Sequence, residues 1–135
     1  METYFIDANV ILRFLTGTPE DMAARALELF EKVDAGEIEL KLDKLVVAEI
    51  YWVLDSYYEF PREKIKNVLV DFFQSRGIKV EARGQVIEAL KIAADKNVDF
   101  VDAVLAVKGR DNQKTIITFD KTDFSKLPAD WKFPD

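Results

Sequence analysis

Four acidic residues stand where a carboxylate could do chemistry: Asp7, Glu49, Asp102 and Asp120. Asp7 follows a short apolar run and Asp120 follows a β-branched run, so each would lie just beyond the carboxyl end of a strand. In parallel α/β sheets, ligands bind in the crevice beyond those strand ends. If the two strands are parallel, we expect both carboxylates at one edge of a sheet. The alternative is that each aspartate only caps the helix that follows it.

Helical spacing places the other two acids. On its helix, Glu49 would lie between a core-facing arc and the apolar pair Leu45 and Trp52, where an unpaired charge is costly. We therefore expect Glu49 to bind a metal or a buried cation. Asp99 and Asp102 open a later helix, where interaction with the helix dipole is a sufficient alternative reason for an acid.

The composition narrows the chemistry that these acids could support. The chain has 135 residues and contains no histidine and no cysteine. This excludes Ser-His-Asp hydrolysis, Cys-His proteolysis, His-ligated zinc and disulfides. A catalytic metal would need oxygen ligands, which suit hard ions such as Mg2+ or Mn2+. The net charge of -6 argues against a polycationic nucleic-acid binder. It does not exclude a nuclease, because bound divalent cations would neutralise part of an acidic site.

Length and hydropathy predict a single domain over residues 1–135. No apolar run reaches the roughly 18 residues that would span a membrane, and no basic region precedes an apolar stretch. We therefore expect no membrane association and no signal peptide. The lack of cysteine fits a cytoplasmic location.

Strand and helix patterns alternate along most of the chain, which predicts a three-layer α/β/α sandwich with a mainly parallel central sheet. Strands are predicted at residues 3–6, 38–42, 78–80 and 115–118. Helices are predicted from residue 10 to just before Gly17, from Pro19 to just before Gly36, at 44–57, from Pro61 to just before Gly77, at 85–96 and at 100–108.

Four short segments, taken in order, resemble the PIN-domain nucleases, especially the compact toxin type of prokaryotic toxin–antitoxin pairs. Each motif is short, but four in this order along the whole chain are fairly specific. The segments are Phe5-Ile6-Asp7-Ala8-Asn9-Val10, Val47-Ala48-Glu49-Ile50, Asp99-Phe100-Val101-Asp102-Ala103 and Thr118-Phe119-Asp120.

The resemblance implies a PIN-like fold with an acidic metal-binding quartet: Asp7, Glu49, Asp102 and Asp120. The quartet would bind Mg2+ or Mn2+ and hydrolyse phosphodiester bonds in RNA, with the first and third residues as primary ligands. The resemblance also implies a small antitoxin protein as partner and a homodimer. Four further residues would support the site, the first two through hydrogen bonds and the last two as spare acids: Asn9, Thr118, Asp99 and Asp123.

Two other functions stay open. One is a catalytically inert PIN-like scaffold that acts as a protein- or RNA-binding module. The other is a phosphotransfer enzyme with Asp7 as the phosphorylated nucleophile. That chemistry usually needs a second aspartate two residues later, where this chain has Asn9.

Partner and substrate contacts are less determined by the sequence. Exposed aromatic residues could line an antitoxin groove, although core packing is the alternative: Trp52, Tyr57, Tyr58 and Phe60. Basic residues near the motifs could contact an anionic substrate, although an ordinary solvated surface is the alternative for each: Arg13, Arg25, Lys44, Lys108, Arg110 and Lys121.

Overall fold

The computed structural model describes residues 1–135 as alternating strands and helices. None of the helices combines the length and hydropathy needed to cross a bilayer. The elements in chain order are β1 (Glu2–Phe5), α1 (Ala8–Thr16), α2 (Glu20–Asp34), β2 (Ile38–Leu42), α3 (Lys44–Ser56), α4 (Arg62–Phe73), β3 (Ile78–Val80), α5 (Arg83–Lys96), α6 (Phe100–Asp111), β4 (Ile116–Ile117), α7 (Lys121–Phe124) and β5 (Trp131–Lys132).

All strand pairs are parallel, but the strands form two sheets. β1 pairs with β2 and β2 with β3, whereas β4 pairs only with β5. The α/β class and the parallel strands are confirmed, and the flanking helices are consistent with the predicted three-layer sandwich. β1 and β4 share no ladder of backbone hydrogen bonds, so the pairing pattern does not join their ends, and the expectation that Asp7 and Asp120 lie at one sheet edge stays a prediction.

An aromatic cluster joins three helices in the core. Phe14 of α1 lies 4.5 Å from Phe30 of α2 and 6.1 Å from Phe72 of α4 between ring centroids, and Phe30 meets Phe72 edge to face at 5.5 Å. These spacings suit the quadrupoles of aromatic rings. The cluster therefore fixes α1, which begins directly after Asp7, against α2 and α4.

The element boundaries differ from the predictions mainly near the C-terminus. α6 continues to Asp111 instead of ending at Lys108, and the tail after β4 contains the short elements α7 and β5, which were not predicted. Two- and four-residue elements carry too few side chains to show a period. At the start of α2, Pro19 is the N-cap residue, so the first helical residue is Glu20, one later than predicted.

Candidate metal centre

The first turn of α6 presents two of the predicted acids. Asp99 is the N-cap residue with extended backbone, but its carboxylate makes no capping hydrogen bond. Asp102 lies in the first turn and is partly buried. The small residues Ala103 and Ala106 are fully buried, so α6 packs closely against its neighbours. Asp102 is therefore held on a well-packed helix.

The turn after β4 presents two further aspartates. Asp120 is the N-cap residue of α7, and its Oδ1 accepts a hydrogen bond from the backbone N–H of Asp123 at 2.9 Å. The backbone N–H of Asp120 donates to the Thr118 hydroxyl oxygen at 3.0 Å. Asp120 therefore caps α7 with Oδ1, as the alternative reading of this residue predicts, but its Oδ2 makes no hydrogen bond. Thr118 lies where it holds this turn in shape.

A glycine lets the acidic turn approach α6. A Cβ atom on Gly109 would lie 2.6 Å from Cδ1 of Ile116 and 3.0 Å from the carbonyl oxygen of Lys114. The Ile116 methyl group is the end of a flexible side chain that can move, but the Lys114 carbonyl is backbone, so a larger residue would push the chain leading into β4 slightly away from α6. Gly109 therefore helps to set the distance between Asp102 and the turn at Asp120.

Three aspartates meet at this place. Asp102, Asp120 and Asp123 offer carboxylate oxygens that all lie within 4.8 Å of one another. Partial burial raises the pKa of Asp102 above its usual value, and the charges of Asp99, Asp120 and Asp123 raise it further. None of the three clustered carboxylates makes an ion pair with a basic residue. A set of mutually repelling hard oxygen donors fits a divalent cation such as Mg2+ or Mn2+.

The resemblance implies Asp120 as a ligand and Asp123 as a spare acid, whereas the structure brings both close to Asp102. The signal was the spacing of three between them. An N-cap residue and the third helical residue lie at the same end of a helix, so their carboxylates can point to one site. Because α7 has only four residues, the apolar periodicity of the sequence does not reveal that a helix starts here.

Asp7 does not belong to the group of three aspartates. It is the N-cap residue of α1, its carboxylate is exposed, and it makes no capping hydrogen bond. Side-chain capping therefore does not account for Asp7, in contrast to Asp120. Asn9 follows on the exposed side of α1. The roles of Asp7 as a metal ligand and of Asn9 as its support stay predictions.

Glu49 also lies outside the group of three aspartates and makes no ion pair. Its flanking residues Leu45 and Trp52 are 81% and 64% exposed, so Glu49 is on a solvent-facing stripe of α3. The argument that its charge is buried between apolar neighbours is wrong, because the side of α3 bearing those two neighbours faces water. Its part in the acidic quartet stays a prediction from the resemblance.

Comparisons with known proteins agree with the α/β architecture. A protein of Aquifex aeolicus (strain VF5) named VapC ribonuclease is 26% identical over 123 residues, which cover 90% of each chain. A crystal structure of VapBC2 from Rickettsia felis bound to a DNA fragment from their promoter aligns over the whole of both chains at 18% identity, but its TM-score of 0.38 is too low to support an argument. The sequence model of the PIN domain matches residues 4–130, nearly the whole chain. This chain therefore belongs to the PIN domain family.

Proposed function

We propose that this PIN domain is a metal-dependent endoribonuclease and the toxin of a toxin–antitoxin pair. The observation that carries the proposal is the group of carboxylates from Asp102, Asp120 and Asp123, which lie within 4.8 Å of one another. The similarity to a protein named VapC ribonuclease supports RNA as the substrate. The absence of histidine and cysteine leaves oxygen-ligated metal as the most economical hydrolytic chemistry for this chain.

The residues around the clustered aspartates would have different roles in binding the cation. Asp102, Asp120 and Asp123 would hold a divalent cation, which supplies Lewis-acid chemistry for phosphodiester hydrolysis when bound. Asp99 adds negative charge beside Asp102 and so favours a cation there. Thr118 would keep the turn at Asp120 in shape through the hydrogen bond to its N–H.

The remaining sequence-predicted residues would join this site from other elements. Asp7 carries a carboxylate that is exposed and free of a capping bond, so it is available to a cation or to an attacking water. Glu49 is likewise exposed and free of ion pairs. Asn9 would orient Asp7 through its amide.

An inert scaffold that binds protein or RNA is the second candidate. The specific observation in its favour is that Asp7 and Glu49 do not belong to the group of clustered aspartates. Titration calorimetry with Mn2+ separates the two functions. Binding in the millimolar range or tighter agrees with the nuclease, and absence of binding at millimolar Mn2+ favours the scaffold.

Cleavage of end-labelled single-stranded RNA tests the nuclease directly. We expect cleavage with Mg2+ or Mn2+ and none with EDTA. Asp102→Asn should lower the rate by about 100-fold or more, because loss of a metal ligand removes several kcal/mol of transition-state stabilisation. Asp71→Asn is the matched control, since Asp71 is an exposed acid on α4 without a side-chain hydrogen bond or ion pair. Wild-type rates in Asp102→Asn would contradict the proposed site.

The toxin role includes a small antitoxin and a homodimer as partners. Exposed apolar side chains on and after α3 support a protein-binding surface: Leu45 (81%), Trp52 (64%) and Tyr57 (76%). Leu45 and Trp52 are seven residues apart and therefore lie on one side of α3, and large apolar side chains grouped on an exposed face can mark an interaction site. Tyr58 and Phe60 are only partly exposed and pack against the core, which agrees with the core-packing alternative for these two residues. Trp52→Glu should weaken self-association or antitoxin binding, measured by light scattering and by co-purification.

A further inference from the structure

A groove of about 490 Å³ runs between α1 and α2 on the surface beside Asp7. Its volume is in the range of ordinary ligand sites. No acidic residue lines it, although the chain as a whole has a net charge of -6. The lining residues are Asn9, Val10, Arg13, Met22, Arg25 and Ala26.

Two arginines in this groove have no partner within the chain. Arg13 is partly buried, and its Nε is buried without a hydrogen bond. Arg25 is exposed, and neither residue makes an ion pair. Arg110 shows the contrast, because its guanidinium donates to Glu88 at 2.8 Å and to Asp111 at 2.8 Å. The buried Nε is out of reach of an external ligand, but the terminal Nη nitrogens of Arg13 are not buried and make no hydrogen bond within the chain, so they are free to donate to an external acceptor.

Helix geometry puts the donors of the groove on both of its walls. Asn9 and Arg13 are four residues apart on α1 and therefore share a face, about 6 Å apart along the axis. Met22 and Arg25 are three residues apart on α2 and share the face opposite. The guanidinium fork matches the oxygens of a phosphate or a carboxylate in a bidentate manner. The groove thus offers two charged forks and one amide to an anion.

We infer that this groove is a phosphate-binding subsite that holds the backbone of the RNA substrate. The inference rests on the proposed function. RNA is favoured over an acidic peptide because the groove begins at Asn9, two residues beyond the predicted ligand Asp7. Asn9 belongs to the first turn of the helix that Asp7 begins, so an RNA strand bound through Asp7 would pass this end of the groove. Val10 and Met22 add apolar surface on which a base could rest.

Binding without cleavage tests the subsite separately from the proposed activity. Fluorescence anisotropy of a short labelled single-stranded RNA in EDTA, at several salt concentrations, measures affinity and its salt dependence. Arg25→Gln and Arg13→Gln should each weaken binding about tenfold and reduce the slope of log K against log salt by about 0.7, the value for one phosphate contact on a single strand. Arg25→Lys should keep the slope.

Arg83→Gln is the matched control, because Arg83 is exposed at the start of α5 and lies outside the groove. It removes the same charge and should leave RNA affinity nearly unchanged. Arg25 is itself exposed, so its variants should fold even if Arg13→Gln does not. An equal loss in Arg83→Gln would overturn the subsite, since only net charge would then matter.

An acidic peptide provides the remaining arm of the experiment. If the Arg25 variant binds RNA normally but loses affinity for a labelled poly-glutamate peptide, the groove is a protein-docking site and the inference is wrong. If Arg25→Gln weakens RNA binding in EDTA while the wild type never cleaves RNA with Mn2+, the subsite stands and the proposed nuclease fails. The two conclusions are thus distinguishable.

Discussion

The ring of Tyr51 on α3 stacks on the ring of Phe100 at the start of α6, with centroids 4.6 Å apart and planes 15° from parallel. Both side chains are buried, with 3% and 2% of their surfaces exposed. Phe100 directly follows Asp99 and lies two residues before Asp102. This stacked pair therefore ties the helix that carries Glu49 to the turn that carries the clustered acids.

Truncation of Tyr51 should loosen this connection. We expect Tyr51→Ala to lower the free energy of unfolding by about 3–5 kcal/mol, as is typical for a large aromatic residue in a core. Tyr51→Phe should be nearly neutral or slightly stabilising, because the hydroxyl is buried without a hydrogen-bond partner and burial raises its pKa to about 12. Urea denaturation of both variants measures the difference. A large loss in Tyr51→Phe would show that the hydroxyl has a partner.

Asp102→Asn should change stability in a pH-dependent manner. The raised pKa of Asp102 means that the folded state penalises the charged carboxylate. Folding favours the protonated form of Asp102. The resulting contribution to stability is fully present below the pKa of the unfolded state and is lost as the pH rises through the higher pKa of the folded state. Without metal, the variant should therefore be more stable at neutral pH by roughly 0.5 kcal/mol, the scale for partly exposed charges.

The gain in stability of Asp102→Asn should vanish well below pH 3.8, the ordinary pKa of the group, because the wild-type carboxyl is then neutral in both the folded and the unfolded state. In Mn2+ the order should reverse, since the variant has lost a metal ligand. Thermal unfolding at several pH values, with EDTA or Mn2+, measures both effects. A metal-free variant less stable than the wild type at neutral pH would contradict the prediction.

Asp7→Asn should abolish metal-dependent RNA cleavage while leaving the fold intact. Asp7 is exposed and its side chain makes no capping bond, so its replacement should change stability by no more than about 0.5 kcal/mol. Asp123→Asn should weaken Mn2+ binding about tenfold or more, because Asp123 belongs to the clustered acids. Calorimetry and RNA cleavage compare the two variants. Wild-type cleavage by Asp7→Asn would refute the role predicted for Asp7 from the sequence.

Gly109→Ala should disturb the approach of β4 to α6. The new methyl group would collide with Ile116 and with the carbonyl of Lys114, at a cost of about 1–3 kcal/mol. Affinity for Mn2+ should fall with stability, because the turn at Asp120 would move. Gly84→Ala is the control, since nothing lies within 4 Å of the added Cβ, and it should stabilise by about 0.4–1 kcal/mol. Equal behaviour of the two variants would remove the role assigned to Gly109.

The sequence predicts most of the α/β framework because strong local signals mark it. Asp43 caps α3 through its side chain at 2.9 Å from the Val46 nitrogen, and Pro61 and Asp99 stand at the starts of α4 and α6 as predicted. Capping and apolar periodicity depend on neighbours along the chain, so one sequence shows them. The division of the strands into two sheets depends on how distant elements pack, which no local pattern contains.

The site is less predictable for the same reason. Spacing identifies Asp102 as an acid at a helix start and Asp120 as an acid after a strand, but the meeting of Asp102, Asp120 and Asp123 depends on how α6 packs against the chain around β4. For Glu49, periodicity predicts a core-facing arc of Val46, Ile50, Val53, Leu54 and Tyr57. The fully buried residues of α3 are instead Val47, Ile50, Tyr51 and Leu54. The buried Tyr51 stacks on Phe100, a contact between residues distant in the chain that no local pattern contains.

The clustered aspartates all lie between positions 102 and 123, whereas Asp7 and Glu49 are far away along the chain. The loop between Asp102 and Asp120 is shorter than the loops that link either residue to Asp7 or Glu49, so it costs less entropy to close, and contacts of smaller sequence separation form faster. The cation pocket should therefore assemble before the N-terminal strand and α3 are in place. We expect Mn2+ to speed refolding as well as to slow unfolding, because ligands already gathered in the transition state shift the folding rate. Stopped-flow refolding with Mn2+ or EDTA would reveal this order of assembly, and an unchanged refolding rate would place the pocket late.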